Sequence, residues 1–527
     1  MKKLIRAAFK MVFSRIMVIA LLLILQIGIL FAGFEWLGQY MSYVMGGFTT
    51  LSVLLVIYII NKEDDPAYKL VWMIPVCGIP VFGALLYLFV ELNLGGWSLR
   101  KRLQTVLMES VPYLQTPEEV KEDMREEEPG FSNLAAYLQK NCGYSAFENT
   151  DVMYFPLGED KYRQLLVDLK TAKHFIFLEY FIIEKGKMWD SILEVLKQKA
   201  SEGVEIRLMY DGMCSLVNLP RRYPQELTAQ GIQTRVFAPI RPMLSTAQNN
   251  RDHRKIVSID GRIAYTGGVN LADEYINEKA RFGHWKDTAV RLEGDGAQGL
   301  TMMFLQNWNM MSLKSGSYEP YMLRSVDGTC RVDAAECVSK TEKEKKGFVI
   351  PFGDAPGDKE AVGENVYMDM LYTAKRYVHI TTPYLIIDGE MERALIYAAK
   401  RGVDVRIILP HIPDKKYAFY IARTYYPLLL NAGVKLYEYE PGFIHAKSFV
   451  SDDEKAVVGT INLDYRSLYL HFECGVYMYH NPVVEDIERD YQETLAKCIP
   501  VDMEYYKRIN GLSKLAGRVL RLFAPLM

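Results

Sequence analysis

The chain has no cysteine framework. Its seven cysteines are scattered through 527 residues and none forms a C-x-x-C pair; the odd count excludes a fully paired disulfide scaffold. Cys330 and Cys337 have no histidine nearby to complete a zinc set. An excess of positive charge is also lacking. The 62 Lys and Arg stand against 64 Asp and Glu, a formal net charge of −2, so there is no basic field to gather nucleic acid. Histidine is scarce, at eight residues, so a pattern that uses several of them carries weight.

What the N-terminus does have is long apolar runs. After a basic start (Lys2, Lys3, Arg6, Lys10, Arg15), residues 16–34 form a 19-residue run with Gln26 as its one polar member, and residues 41–60 form an uncharged run of 20. Each is long enough to cross a bilayer, and the second run argues against a cleaved signal. A third run, 70–92, is broken by Pro75, Gly78, Pro80 and Gly83, and reads either as a span or as a broken helix packed on the others. The basic N-terminus favours the cytoplasm, and three crossings would put the following domain outside. Arg100-Lys101-Arg102 prefers the inside, which two crossings would satisfy. The expected location is the cell membrane, with a multi-pass N-terminal region.

Two short segments organise the rest. HRKIVSIDGRIAYTGGVN begins at His253 and HAKSFVSDDEKAVVGTIN begins at His445. From each histidine a Lys lies at +2, an Asp at +7, a Gly at +14 and an Asn at +17: Lys255, Asp260, Gly267 and Asn270, then Lys447, Asp452, Gly459 and Asn462. At average residue usage four fixed residues coincide about once in 10⁵ trials, so a duplicated unit is the better account. Asp260-Gly261 between Ile256-Val257 and Ala264-Tyr265 reads as a hairpin. Residues two apart on a strand share a face, so each histidine and its lysine point the same way. The glycines before each asparagine would let backbone approach a ligand closely. An imidazole, an ammonium and an amide on one surface suit a tetrahedral anion such as phosphate. Two facing copies could support covalent catalysis, one imidazole attacking phosphorus and the other exchanging protons with the leaving and entering alcohols. Lysines and asparagines would stabilise the non-bridging oxygens.

A fainter repeat surrounds the motifs. A strand-like run at 175–183, a helix pattern at 189–201 and Gly203-Val204-Glu205-Ile206-Arg207-Leu208 are echoed by 377–387, 390–401 and Gly402-Val403-Asp404-Val405-Arg406-Ile407. Alternating strands and helices argue for α/β lobes with mixed sheets, related by a pseudo-two-fold axis with the histidines at the junction. Tyr180 and Tyr384 in the repeated strands read as core aromatics or as site residues.

The two H-x-K-x₄-D segments resemble the signature of the phospholipase D superfamily. Asn462-Leu463-Asp464-Tyr465-Arg466-Ser467, then Phe472-Glu473, together with the membrane runs, resemble the bacterial cardiolipin synthases. The resemblance implies two phospholipase D-like α/β sandwich lobes behind an α-helical transmembrane region. It further implies a phosphatidyltransferase that joins two phosphatidylglycerols into cardiolipin, releases glycerol and passes through a phosphatidyl-histidine on His253. His445 is implied as acid and base. Lys255, Lys447, Asp260 and Asp452 complete the catalytic set, although the resemblance makes the aspartates mainly structural. Asn270, Asn462, Thr460 and Glu473 are implied around the substrate, with Glu473 supporting the histidine. In the first copy the corresponding +28 offset falls on Arg281, which leaves Glu278 or Asp287 to substitute, and Gly268 stands where Thr460 supplies a hydroxyl. His284 has no implied catalytic part. No metal or cofactor is implied. The expected partners are phosphatidylglycerol, cardiolipin and the bilayer, with no nucleic acid. A hydrolytic phospholipase D, or transfer to another acceptor, is the competing activity. The D-G-x₂-A-R motif of nucleotide-activated phosphatidyltransferases is absent.

The expected boundaries are a membrane region at 1–105, a charged linker at 106–130, a first lobe at 131–340, a second lobe at 341–510 and an amphipathic helix at 511–527. Pro117 is placed at the first position of a helix in the linker. The charged stretch 340–346 separates the lobes. The last helix reads either as interfacial, near anionic lipid, or as a docked tail.

Overall fold

A computed structural model describes residues 40–63, 65–91, 94–214, 218–239, 250–312, 316–323, 347–356 and 360–526, with isolated positions between 21 and 28. The apolar run at 16–34 and the lobe boundary at 340–346 lie outside the described residues. Two compact units emerge: residues 1–99 with 240–250 and 522–527, and residues 100–239 with 251–521.

In the first unit, helix α1 (Met41–Asn61) is long and apolar enough to cross a membrane, at roughly 30 Å. Val53, Leu54, Ile57 and Ile60 point outward at half exposure or more, as lipid-facing residues do. The third apolar run is two helices, α2 (Pro66–Gly78) and α3 (Pro80–Glu91), broken at Ile79. Each is roughly 20 Å long, too short to cross alone. They fold back on one another because Gly83 has no Cβ; one would meet the Pro75 carbonyl at 2.0 Å. Trp72 packs edge-on against Tyr87 in a core shared with Leu55 and Ile59 of α1. Among the described residues α1 is the single helix able to span, so they do not support the multi-pass expectation.

The second unit holds the duplicated lobes. Strands β1 (Thr150–Phe155), β2 (Phe175–Tyr180), β3 (Glu205–Asp211), β4 (Ile232–Phe237), β6 (Lys255–Ile259), β7 (Ile263–Gly267) and β9 (Ala289–Gly294) form a seven-stranded mixed sheet in the order β1-β9-β7-β6-β2-β3-β4. The short strands β5 (Arg251–Asp252) and β8 (His284–Lys286) lie outside it. In the second lobe β10 (Phe348–Asp354), β11 (Tyr377–Thr381), β13 (Asp404–Pro410), β14 (Lys435–Tyr439), β16 (Ser448–Ser451), β17 (Lys455–Gly459) and β19 (His471–Tyr479) repeat that order as β10-β19-β17-β16-β11-β13-β14, with β20 (Cys498–Val501) added at the edge. Between them in sequence fall β12 (Leu385–Ile386), β15 (Gly442–Ile444) and β18 (Leu463–Asp464). The helices Lys187–Ser201 and Gly389–Lys400 occupy equivalent crossovers, as the faint repeat predicts. The wholly buried helix Ala297–Met310 packs on β6 and β7 of one sheet and on β10 of the other.

The charged segment before the lobes is not a free linker. The helix is Glu118–Glu127, with Pro117 at its N-cap rather than its first turn. Beyond it Glu128 accepts from the Tyr479 hydroxyl at 2.8 Å, and Phe131 stacks on Tyr479 at 4.2 Å. Burial of these aromatic faces fastens the segment to the second lobe.

Candidate active site

Each motif is a hairpin, β6–β7 and β16–β17, with Asp260 and Asp452 at the left-handed turn (φ 51° and 60°). The Asp260 carboxylate accepts from the backbone N–H groups of Lys173, His174 and Phe175 at 2.7–2.8 Å. Asp452 does the same for Lys375, Arg376 and Tyr377 at 2.7–2.9 Å. Both aspartates pin the start of the neighbouring strand. Three backbone donors on each carboxylate give both aspartates a structural part in the turn.

The two lobes exchange segments. Strand β5, just before His253, runs parallel to β19 of the second lobe, and the His253 N–H donates to the Phe472 carbonyl at 2.9 Å. Strand β15, just before His445, runs parallel to β8 of the first lobe, and the His445 N–H donates to the Lys286 carbonyl at 2.7 Å. The residue that follows each accepting carbonyl, Glu473 or Asp287, is an acid that meets the other lobe's histidine. His253 Nδ1 lies 2.9 and 3.0 Å from the Glu473 oxygens. His445 Nδ1 lies 2.6 Å from Asp287 Oδ2. Glu473 therefore supports the histidine of the first copy, not its own. Sheet register makes the equivalence explicit: Gly267 pairs with Ala289 and Gly459 with Gly475, so Asp287 and Glu473 occupy matching positions.

The electrostatics agree with a neutral imidazole facing an ionised acid. Burial pulls both histidines down, His445 to about 4 and His253 well below its ordinary value. Burial alone would raise Glu473, but the adjoining His253 and its hydrogen bonds outweigh it and leave the carboxyl low. Asp287 is likewise held low by His445 and Lys447 against its burial. An ionised acid can only accept, so Nδ1 donates and Nε2 of each ring keeps its lone pair free for chemistry. Both histidines are 7% exposed, so the site is nearly closed to water.

Lys255 and Lys447 are 1% exposed, and each donates one N–H to its own motif's histidine carbonyl. Burial lowers Lys255 to about 8 and Lys447 to about 7. Lys255 also acts electrostatically on His445 and Lys447, so the two motifs meet. Each ammonium keeps further N–H groups for an anion.

The substrate-side residues divide. Asn462 is buried, and its Oδ1 has no hydrogen-bond partner among the described residues, as a ligand-facing amide would. Asn270 is committed elsewhere: it accepts from Ile182 N–H at 3.0 Å and donates to the Tyr275 hydroxyl at 2.8 Å, and Tyr275 packs edge-on to His445. Thr460 donates to Glu473 and acts through it. Gly268, its counterpart, makes room for the other acid, because a Cβ there would lie 2.0 Å from Asp287 Oδ1. Gly267 and Gly459 admit strands β9 and β19, not a ligand. Tyr180 is core, fully buried and accepting from Lys161 Nζ at 3.0 Å. Tyr384 donates to Asp414 at 2.6 Å. His284 is bonded to the Tyr439 hydroxyl at 3.0 Å, in keeping with no catalytic part.

A third histidine joins the site without any motif to mark it. His471 is buried at a ring distance of 5.6 Å from His253, its Nδ1 is 3.7 Å from Glu473 Oε1, and neither ring nitrogen has a hydrogen-bond partner among the described residues. His253, His471 and Glu473 have ligand atoms within 4.8 Å of one another, close enough to hold a metal ion. No spacing rule links His471 to His253, since the contact crosses between the lobes.

Comparison with known proteins places this arrangement. Residues 165–281 and 367–495 match the family described as cardiolipin synthase, PLD-like domain, and residues 50–91 match the phospholipase D-nuclease N-terminal family. An uncharacterized protein of Streptococcus mutans is 46% identical over 472 residues, covering 90% of this chain and 99% of that protein. The cardiolipin synthase of Geobacillus kaustophilus is 31% identical over 516 residues, covering 96% and 98%. The crystal structure of phosphatidylserine synthase from Haemophilus influenzae shares the fold, with a TM-score of 0.52 at 14% identity over 71% of this chain and 93% of that one. With identity of this extent and both motifs in a crossed site, the chain belongs to the cardiolipin synthase family, a family of phosphatidyltransferases built on the phospholipase D fold.

Proposed function

We propose that this chain transfers the phosphatidyl group of one phosphatidylglycerol to a hydroxyl of a second, giving cardiolipin and glycerol. The observation that carries the reading is the crossed pair of neutral imidazoles, each oriented by an ionised acid, above two buried lysines. His253 Nε2 attacks phosphorus as the P–O bond to glycerol breaks, and the leaving alkoxide takes a proton from His445. His445 enters that step protonated, a state the bound phosphate and Asp287 favour. The neutral His445 then accepts the proton of the incoming hydroxyl, whose oxygen displaces His253 and restores both rings. Lys255, Lys447 and the Nδ2 donors of Asn462 hold the non-bridging oxygens, while the Asn462 Oδ1 can accept from a substrate hydroxyl. The low exposure of both histidines keeps water from the phosphatidyl-histidine and favours transfer over hydrolysis.

The working site is a membrane surface, with α1 as anchor. A multi-pass topology would need residues 16–34 as a further crossing. The domain limits read from sequence stand as part of the proposal, with the segment before residue 130 docked rather than loose. The test is product analysis of purified protein with phosphatidylglycerol in mixed micelles and excess chelator. Cardiolipin and glycerol should form in equal amounts and be lost in His253→Ala and His445→Ala. Phosphatidic acid as main product would establish a hydrolase, and loss of activity on chelation would point to a metal at His253, His471 and Glu473.

A further inference from the structure

The C-terminal helix Gly511–Arg521 is docked with its sides reversed. On most surface helices the apolar stripe faces the protein. Here the inward edge is mostly polar or small, with a half-buried Leu520 beside it. Gly517 is buried so closely that a Cβ would meet the Tyr420 carbonyl at 2.3 Å. On the same edge Arg521 lies over the Tyr425 ring at 4.0 Å and pairs with Glu392 at 3.2 Å, while Lys514 donates to the Lys507 carbonyl at 3.0 Å. The outward edge is apolar: Leu512 is 76% exposed, Leu515 58% and Val519 50%. Their spacing of three and four residues makes them one stripe. The helix has three cations, Lys514, Arg518 and Arg521, and no acid.

We propose that this stripe inserts into the headgroup and acyl boundary of an anionic leaflet, giving the catalytic unit its own contact with the membrane. An apolar stripe bordered by cations fits such a surface. A second copy of the chain fits worse, because pairing two stripes would bring the exposed Arg518 of both copies together with no acid on either helix to balance them. The inference does not depend on whether the site transfers or hydrolyses.

Bulk vesicle binding cannot test this, since α1 anchors the chain already. A local probe can. A fluorescent amino acid would be placed at 512, 515 or 519 in the full chain, with a reference at the exposed Glu504. Each protein would be reconstituted in phosphatidylcholine alone or mixed with phosphatidylserine, a lipid not proposed as substrate, using brominated acyl chains. The stripe positions should be quenched several-fold more than position 504, and more strongly with phosphatidylserine. Equal quenching at 515 and 504 would overturn the proposal, as would unquenched probes that cross-link between copies at 515. The triple variant Leu512→Glu, Leu515→Glu, Val519→Glu supplies a second arm. It should keep the wild-type turnover of a monodisperse short-chain donor and lose about 3- to 10-fold on vesicles. Equal turnover of both donors by the triple variant and wild type would count against insertion.

Discussion

His253 and His445 are held by the same device in different company. Each gives Nδ1 to an acid from the opposite lobe, and each carries its lysine two residues on. Around His253 the neighbours are Asp252, Arg254, Phe181 and His471, with Arg254 Nε donating to the Glu473 carbonyl at 2.9 Å. Around His445 they are Ile444, Ala446, Tyr275, Phe443 and Trp285. Part of each set occupies equivalent positions: Asp252 and Arg254 match Ile444 and Ala446, and strand register sets His471 against Arg251 as it sets Trp285 against Phe443. Duplication fixed the reacting groups and left the second layer free to diverge. One imidazole therefore sits among charges and the other in an aromatic box, and the two are suited to different tasks.

The largest effect expected is assignment of those tasks. A donor with an activated leaving group needs no acid to depart. With it, His445→Ala should still load a phosphatidyl group on the peptide containing residue 253, while overall turnover falls on the order of 10⁶-fold; mass spectrometry reads the adduct. Label found only at residue 445, in His253→Ala, would reverse the roles. Next come the acids. Glu473→Gln and Asp287→Asn should each cost on the order of 10³-fold in kcat through loss of ring orientation. Gly268→Ala should match Asp287→Asn, because its methyl occupies the carboxylate's place. A much smaller loss in one acid variant would mean that only one ring depends on its partner.

The lysines give a pH signature. In the free enzyme they lose charge as pH rises past about 7 for Lys447 and about 8 for Lys255, so kcat/KM should fall on that side. Bound phosphate favours the ammonium forms, so the alkaline limb of kcat should lie higher. Lys447→Arg, which cannot deprotonate, should remove the lower limb at a cost of about 10- to 100-fold in rate. An unchanged profile would place that limb elsewhere. On the acid side, activity should hold well below the ordinary histidine range, until the nucleophile His253 takes up a proton.

Smaller effects probe the second layer and the turn. His471→Phe should cost about tenfold in kcat/KM, with the wild-type melting temperature retained, if its free nitrogens serve the donor headgroup. Asp260→Asn and Asp452→Asn should leave kcat near wild type and lower stability by about 1–3 kcal/mol, since three backbone donors lose a charged acceptor; calorimetry with initial rates separates the two readouts.

Much of this frame is legible in the chain. The strand–helix–strand repeat, the hairpins and the shared face of His and Lys follow from period-two and helical spacing. The crossing is not, because spacing measures distance within a copy and both acids act across copies. Asp287 is further concealed by an offset of +34 from His253 against +28 for Glu473 from His445. The extra residues include the left-handed turns at Asn277 and Gly283. The motif glycines read as ligand-facing because a missing side chain looks the same whether a strand or a substrate fills its place. Asn270 and Asn462 share one offset, yet only the structure tells the anchored amide from the free one.

The exchanged strands make catalysis report on assembly. If the lobes part, His253 loses Glu473 and His445 loses Asp287 in the same event, so a half-docked chain has no partly working site. Two separately made halves should each be inert and regain activity only on recombination. On the proposed mechanism, a phosphatidyl-histidine would form only where both halves of its enclosure are already in place.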